Sequence, residues 1–352
     1  MTPPLRLAIL GAGRRGMLVA RVMMDLPGVD VVMLCDPNRH RLRLVQESYP
    51  HIQCTTTFQD VVENDWVDAA VVAVPLVKNS RVALALLNAG KHCLVEPPMA
   101  TSSNECQEMM ETAWSNDVIL MCGHASVFDP AVLHLNHLIH KGELGTLRHL
   151  YFQRMLPGRS QGGGDVLWRH TCQDVAIALH WMQDKMPDRV RAMGFSQLGG
   201  DYDMVHLSFF YDWGANVQFT TSLLQPEFYH RVLLAGTSRM ALLDGRDREF
   251  PLRLYNQGLN KEWLAEQPQD NEGLHLVTGG EERQGEIRLP RVTAADPLRE
   301  ECRHFLHCIR RHQRPICDGV SGLRVVRLLE LAAQSMQEGG AELPLQESLP
   351  CP

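Results

Sequence analysis

The chain has 352 residues, 45% of them hydrophobic and 21% charged, with a formal net charge of −7. That length favours two domains over one, and the composition is that of an ordinary globular protein. The acidic balance argues against nucleic acid or an anionic membrane surface as a partner, although one basic pocket can still hold an anionic small ligand.

From Met1 to Leu10 the chain passes almost directly into an apolar run without the pattern of a cleavable signal, and nowhere does an apolar run approach the about 20 residues of a membrane span. Leu5–Leu10, Val29–Cys35, Ala69–Val74, His92–Val95 and Val118–Cys122 read as strands, with helical periodicity between them, as in Asn79–Ala89 and Ser103–Asn116. Strand–helix alternation predicts a parallel sheet covered on both faces, a domain over 1–123. Beyond Gly123 the pattern changes. A helix over Pro130–Lys141 leads to a strand over Leu147–Arg154; the run Gly162-Gly163-Gly164 precedes a helix over Thr171–Met182. Strands are then predicted over Arg189–Gln197, Asp203–Asp212, Ala215–Leu224, His230–Gly236 and Met240–Asp244, with hairpin turns at Asp212-Trp213-Gly214 and Gly236-Thr237-Ser238. These make an α+β domain with a large open antiparallel sheet over 124–345. Residues 257–287 read as a surface loop, Pro297–Arg311 and Ser321–Gln337 as closing helices, and 346–352 as a tail.

The ten cysteines form no CxxC pair, and several sit in strand-like runs, which predicts reduced core thiols in a cytoplasmic protein. His304 and Cys308 are four apart on one helix, a metal-ligand spacing, but no second pair matches it; one face of a surface helix is the better account, and no metal is expected.

The first strand ends in Gly11-Ala12-Gly13-Arg14-Arg15-Gly16, a GxGxxG followed by an amphipathic stretch, Met17–Leu26. Gly11 permits the tight turn, Gly13 lets backbone approach a pyrophosphate, and Gly16 lets the helix pack against the strand. The helix N-terminus offers free N–H groups to the phosphates. Asp36 ends the second strand, twenty positions after Gly16. Its carboxylate suits the ribose hydroxyls and repels a 2′-phosphate, which favours NAD over NADP; Arg39 and Arg41 weaken that preference.

The chain resembles the glucose-fructose oxidoreductase/inositol dehydrogenase (Gfo/Idh/MocA) family along nearly its whole length. The likeness rests on Ala73-Val74-Pro75 at a strand end, Ala89-Gly90-Lys91-His92-Cys93-Leu94-Val95-Glu96-Pro97-Pro98, Gly123-His124 with Phe128-Asp129-Pro130-Ala131-Val132, Gly142-Glu143-Leu144-Gly145, and Pro315 with Asp318-Gly319 and Gly322-Leu323-Arg324-Val325-Val326. It implies a dinucleotide site that adds Val74, Pro75, Asn79, Glu96 and Pro97 to the glycine loop. It also implies a Lys, an Asp and a His near the nicotinamide. This chain replaces all three: Pro97 stands for the lysine of "EKP", Arg169 for the aspartate and Gln173 for the histidine. Proline moves no proton, glutamine bonds a hydroxyl without taking its proton, and arginine stays charged.

Oxidising an alcohol by hydride transfer needs a base or a proton path. His170, three residues before Gln173 and so on the same side of a helix, is the first candidate; a helix-start histidine without a role is as good an account. His124, past the C-terminal end of the last strand of the first sheet, is the second, against a packing role at a hinge. Asp165 suits a substrate hydroxyl or a simple turn, and Lys78 suits cofactor, substrate or solvent. Arg154, Arg159 and Arg169 form a basic set suited to a diphosphate or carboxylate, and Trp168 suits ring stacking or the core.

Within the family, the stretches 142–155 and 166–181 look most like the nucleotide-sugar 3-dehydrogenase branch, which implies NAD-dependent oxidation of a UDP-N-acetylhexosamine at C3, with UDP-N-acetylglucosamine the specific expectation, a downstream aminotransferase as partner, and a place in lipid A synthesis. Two alternatives stay open. One is a silent NAD-binding homologue acting as sensor or structural partner; the other is an imine or biliverdin-type reductase. The long alternating strands of 203–224 predict an uncovered apolar face and hence a homodimer or homotetramer.

Overall fold

The computed structural model describes residues 3–158, 165–197, 199–259 and 286–345. Arg159, the glycine run 162–164, most of the predicted loop 257–287 and the tail 346–352 lie outside them.

The first sheet is built from β1 (Leu5–Leu10), β2 (Val29–Cys35), β3 (Gln53–Thr55), β4 (Ala69–Val72), β5 (His92–Val95) and β6 (Leu120–Cys122), in the order β3-β2-β1-β4-β5-β6 and parallel throughout. Its strands are continuous apolar runs because both faces are covered; all four residues of β4 are buried. The helices between them are α1 (Arg14–Met24), α2 (Arg39–Ser48), α3 (Gln59–Val62), α4 (Asn79–Asn88) and α5 (Ser103–Ser115). The sequence pattern did not reveal β3, a strand of three residues with only Thr55 buried. Strand order reverses at β1, which pairs with both β2 and β4, so the ligand crevice lies beyond the C-terminal ends of these strands.

After β6 come α6 (Pro130–His140), β7 (Leu147–Pro157), α7 (Cys172–Trp181), β8 (Arg189–Phe195), β9 (Met204–Phe210), β10 (Asn216–Ser222), β11 (Leu224–Gly236), β12 (Met240–Asp244), β13 (Leu252–Tyr255) and β14 (Ile287–Arg288). Two helices, α8 (Pro297–Arg311) and α9 (Gly319–Gln337), precede β15 (Leu343–Pro344). The second sheet runs β14-β13-β12-β11-β7-β10-β9-β8-β15. It is antiparallel except at one place: β10 lies parallel to β7. Hairpin logic orders only strands adjacent in sequence; β7 and β10 are separated by a helix and two strands, a crossover that permits the parallel pair.

One side of this sheet is apolar and buried. Leu150, Phe152, Val205, Leu207, Phe209, Val217 and Phe219 lie on it, with Phe152 and Phe219 rings 4.9 Å apart and Trp181 5.7 Å from Phe152. The other side of the same strands is polar: His149 bonds Asn216 (2.6 Å), and Thr220 bonds both Tyr151 (3.3 Å) and His206 (3.1 Å). Of the apolar residues in 203–224, those on the first side are buried within the chain, while Met204 and Phe210 on the other side are half-buried and Trp213 and Leu224 are exposed.

The chain forms two compact units. The first comprises 1–132, 167–180 and 294–334, the second 133–166, 181–293 and 335–352. The chain thus returns to the first unit twice after β6, where sequence alone placed a single boundary at 123. Within that unit the C-terminal helices are tied down by local chemistry. Asp296 caps α8 by accepting the Leu298 N–H (3.0 Å), and Pro297 occupies the first turn, where its missing N–H costs nothing. Cys122 N–H donates to Cys317 C=O (2.7 Å). His304 Nε2 accepts the N–H of Ile316 (3.0 Å) and lies 3.4 Å from Cys308 Sγ, so this pair closes a turn; among the described residues no cluster suited to a metal exists. The nine described cysteines form no disulfide, and all but Cys54 are buried. No helix among the described residues is long and apolar enough to cross a membrane.

Candidate functional site

The glycine loop is dictated by space. A side chain on Gly11 (φ +108°) would drive into the carbonyl of Ala73, and one on Gly16 into the carbonyl of Gly11. Gly13 is different. Its φ is −74°, and a Cβ there would meet only Arg41 Nη1 at 4.0 Å, so the space beside this backbone is open. No side chain caps α1, which leaves its first-turn N–H groups available to a phosphate. A cavity of about 710 Å³ opens here, lined among others by Gly11, Gly13, Arg14, Arg15, Asp36 and Arg41. Val74, Pro75 and Lys78 also line it, as do Thr57 and Phe58, which the sequence pattern did not single out. An open glycine, an uncapped helix start and a carboxylate beside them fit a dinucleotide.

Asp36 is 3% exposed. Its Oδ2 accepts the Ala12 N–H (2.7 Å) and lies 3.4 Å from Arg41 Nη1; its Oδ1 accepts the Asn38 N–H (2.8 Å). The carboxylate therefore also ties the loop to the second strand, and Arg41 partly screens it. Asn79 was expected at the cofactor. It is buried, donating from Nδ2 to the carbonyls of Glu96 and Pro98, both at 3.0 Å, so it holds the 96–98 turn.

Glu96 likewise faces inward: its Oε2 accepts from Arg15 Nε at 2.7 Å. Arg15 is shared with Glu301 on α8, whose Oε2 lies 3.8 Å from Nη2. Glu301 is wholly buried, and neither of its oxygens has a hydrogen-bond partner. Burial raises the pKa of both carboxyl groups, and each is helped down again by Arg15; Glu301 is pushed well above the usual range because Glu96 adds its repulsion. Burial opposes the charge of Arg15, but the two carboxylates outweigh it and raise its pKa. Sequence reasoning missed Glu301. The signal was present: it sits among Leu298, Cys302 and Phe305, on the apolar stripe of α8, where a carboxylate has no solvent.

At the C-terminal ends of β5 and β6, Gly123 packs so closely on this turn that a Cβ would touch Pro97 Cδ at 3.4 Å and Glu96 Cα at 3.6 Å. The next residue, His124, is 1% exposed, and neither ring nitrogen makes a hydrogen bond of good geometry. Burial lowers its pKa to about 4, while Gln173 lies near enough to pull slightly the other way. Gln173, in the first turn of α7, accepts from Ser126 Oγ at 3.1 Å. The structure thus brings Pro97, His124 and Gln173 into one unit together with Ser126, which sequence gave no reason to choose.

His170 is half-buried on a π-helical turn over Leu167–Thr171. The i, i+3 spacing that put His170 and Gln173 on one side holds for an α-helix, not for this wider turn. Trp168 (half-buried) and Arg169 (exposed) share this turn, in the first unit. Arg154 and Asp165 belong to the second unit, where Arg154 Nη2 lies 3.2 Å from His230 Nε2.

Comparison with known proteins agrees with this geometry. Residues 5–124 match the model of the GFO_IDH_MocA oxidoreductase family, NAD-binding Rossmann fold. A 4-carboxy-2-hydroxymuconate-6-semialdehyde dehydrogenase of Sphingobium sp. is 26% identical over 181 residues, 49% of this chain and only 58% of that enzyme. The UDP-N-acetylglucosamine 3-dehydrogenase of Acidithiobacillus ferrooxidans is 25% identical over 263 residues, 74% of this chain and 76% of its own. Its solved structure superposes with a TM-score of 0.79 at 21% identity, covering 95% of this chain and 98% of that one. GenD2 from gentamicin A biosynthesis, solved with NAD, gives a TM-score of 0.80 at 20% identity over 99% and 98% of the two chains. At such identities the structures establish the fold.

Proposed function

We propose, on the match of residues 5–124 to the Gfo/Idh/MocA model and the likeness to a UDP-N-acetylglucosamine 3-dehydrogenase, that the chain oxidises a secondary hydroxyl of a nucleotide sugar, C3 of UDP-N-acetylglucosamine, to the ketone. When bound, NAD supplies the hydride acceptor at nicotinamide C4. The chain supplies the rest. The α1 amides and Gly13 hold the pyrophosphate, and Asp36 holds the adenosine ribose. Arg169 and Trp168 of the first unit are proposed for the substrate.

One observation carries the reading: an imidazole, buried beside the Glu96–Pro97 turn, with both nitrogens lacking a bond of good geometry. A buried polar group left without a partner costs about 1–3 kcal/mol, so such groups are kept where a ligand will use them. With its pKa lowered to about 4 by burial, His124 is neutral at neutral pH, with a lone pair on one ring nitrogen. It would take the O–H proton of the sugar as hydride leaves carbon, doing the work of the absent lysine. The ketone is then set for an aminotransferase.

The experiment is to incubate the chain with NAD and a panel of UDP-sugars, coupled to an aminotransferase because alcohol oxidation by NAD is unfavourable at neutral pH. Reduced nicotinamide should accumulate with UDP-N-acetylglucosamine. Tight NAD retention without turnover on any sugar would instead favour a silent dinucleotide-binding protein, the reading supported by the exchange of all three family side chains. A homo-oligomer is also proposed: Met193 (40%) and Phe195 (37%) on β8 are exposed, on the side of the sheet that carries the half-buried Met204 and Phe210. Light scattering that finds only a 39.7 kDa species would remove it.

A further inference from the structure

Beside the glycine loop, two acids share one arginine. Arg15 stands in the first turn of α1 and lines the dinucleotide cavity together with Gly11 and Gly13. Its Nε donates to Glu96 Oε2 at 2.7 Å, and its Nη2 lies 3.8 Å from Glu301 Oε2, so Nη1 makes the nearest approach to neither acid. Glu301 is wholly buried, and both its oxygens lack a hydrogen-bond partner, as does Oε1 of Glu96. Three carboxyl oxygens in one buried cluster are thus unsatisfied.

Were both acids ionised, the cluster would bury one negative charge that no cation balances, a state a dry interior strongly disfavours. A proton removes it. Glu301 is the acid that takes the proton, because Glu96 holds the short bond to Arg15 while Glu301 has only the longer contact and a second carboxyl group near it. The direction agrees: burial and repulsion from Glu96 push Glu301 well above the usual carboxylate range. The titratable groups around Glu301 come from four elements. Arg15 belongs to α1 and Glu96 to the end of β5; Cys122 on β6 and Cys302 on α8 are thiols that burial keeps protonated. The turn Ala125–Phe128, packed on α8, brings none.

We propose that the Glu96–Arg15–Glu301 cluster is a proton site linked to the dinucleotide: Glu301 binds a proton more tightly when a diphosphate lies beside Arg15 than when the cavity is empty. A diphosphate at the start of α1 brings negative charge to the wall that Arg15 helps to form, and it draws on the same guanidinium that an ionised Glu301 would need. With Glu301 protonated the cluster is neutral and Arg15 can serve the phosphate. With Glu301 ionised the extra charge repels it. Linkage then fixes the sign: binding takes up a proton, and affinity falls as pH rises through the titration of Glu301. The proton passes from solvent to a Glu301 oxygen; no other bond changes and no electron moves. This inference needs the dinucleotide site alone and is independent of which substrate is oxidised.

The test is calorimetry of the full chain with ADP-ribose, which carries the diphosphate without the nicotinamide, from about pH 5.5 to about pH 9.5 in two buffers of different protonation heat. Wild type should take up part of a proton on binding and lose affinity at least about fivefold across the range. Glu301→Gln mimics the protonated acid, so it should keep the acid-side affinity throughout and show no uptake. Arg15→Gln should bind more weakly, also with a flat profile, because Glu301 stays protonated without its cation; this variant decides the matter if Glu301→Gln does not fold. A wild-type affinity independent of pH overturns the inference, as does a slope that survives in Glu301→Gln or in Arg15→Gln.

Discussion

The two ends of the expected cofactor path differ in what holds them. At the dinucleotide end recognition is made by backbone: glycines 11, 13 and 16, an uncapped helix start, and one carboxylate already bonded to Ala12 and Asn38. At the reacting end it is made by side chains, and there the framework persists while the groups are exchanged. Backbone recognition tolerates no substitution at its glycines, so it keeps its pattern. Side-chain chemistry can be rebuilt from other residues of the same unit, so Pro97 can stand where a proton-handling group was expected, with His124 following the Gly123 that packs on its turn.

The largest effect should come at the loop. Gly16→Val forces a side chain into the Gly11 carbonyl; NADH affinity should fall more than about 100-fold and the melting temperature with it. Gly13→Ala meets no such clash, so calorimetry should find weakened NADH binding at an unchanged melting temperature. If both variants behave alike, the separation of packing glycine from binding glycine is wrong. Next, His124→Ala should lower kcat by about 10²-fold or more and leave NADH affinity intact, which would set the reacting end apart from the binding end.

Stability against pH sharpens the comparison further. The folded His124 titrates near 4 because burial disfavours its charge, below the about 6.5 of the unfolded chain. Its contribution is full above about pH 6.5 and is lost as pH falls toward 4, about 3 kcal/mol in all. Glu301 pulls the other way: burial raises its folded pKa, so its contribution is full below the usual carboxylate range and is lost as pH rises. In urea unfolding, the His124→Ala variant should flatten the acid side of the profile and Glu301→Gln the alkaline side. The smallest effect expected is at Asp36. Arg41 already screens its carboxylate, so Asp36→Ala should narrow the preference for NADH over NADPH by only about tenfold, read by titrating both.

What was legible follows the same division. The first sheet could be read because its strands are uninterrupted apolar runs, and the loop because GxGxxG sits between a strand and a helix. The strand 53–55 was too short to carry periodicity, and the parallel β7–β10 pair joins residues that no local pattern links. Arg15 and Glu96 were assigned to the cofactor from the motif; Arg15 lines the cavity, and the pair also lies against a buried Glu301 from the far end of the chain. No sequence spacing announces such a contact. Ser126 is a serine in a turn until the structure sets Gln173 opposite it.

The most direct measurement is a single turnover with NAD-loaded protein and UDP-N-acetylglucosamine, following reduced nicotinamide in wild type and in His124→Ala at equal cofactor occupancy. The account predicts a burst in wild type and a rate at least about 100-fold slower in the variant. Equal rates in the two proteins would contradict it.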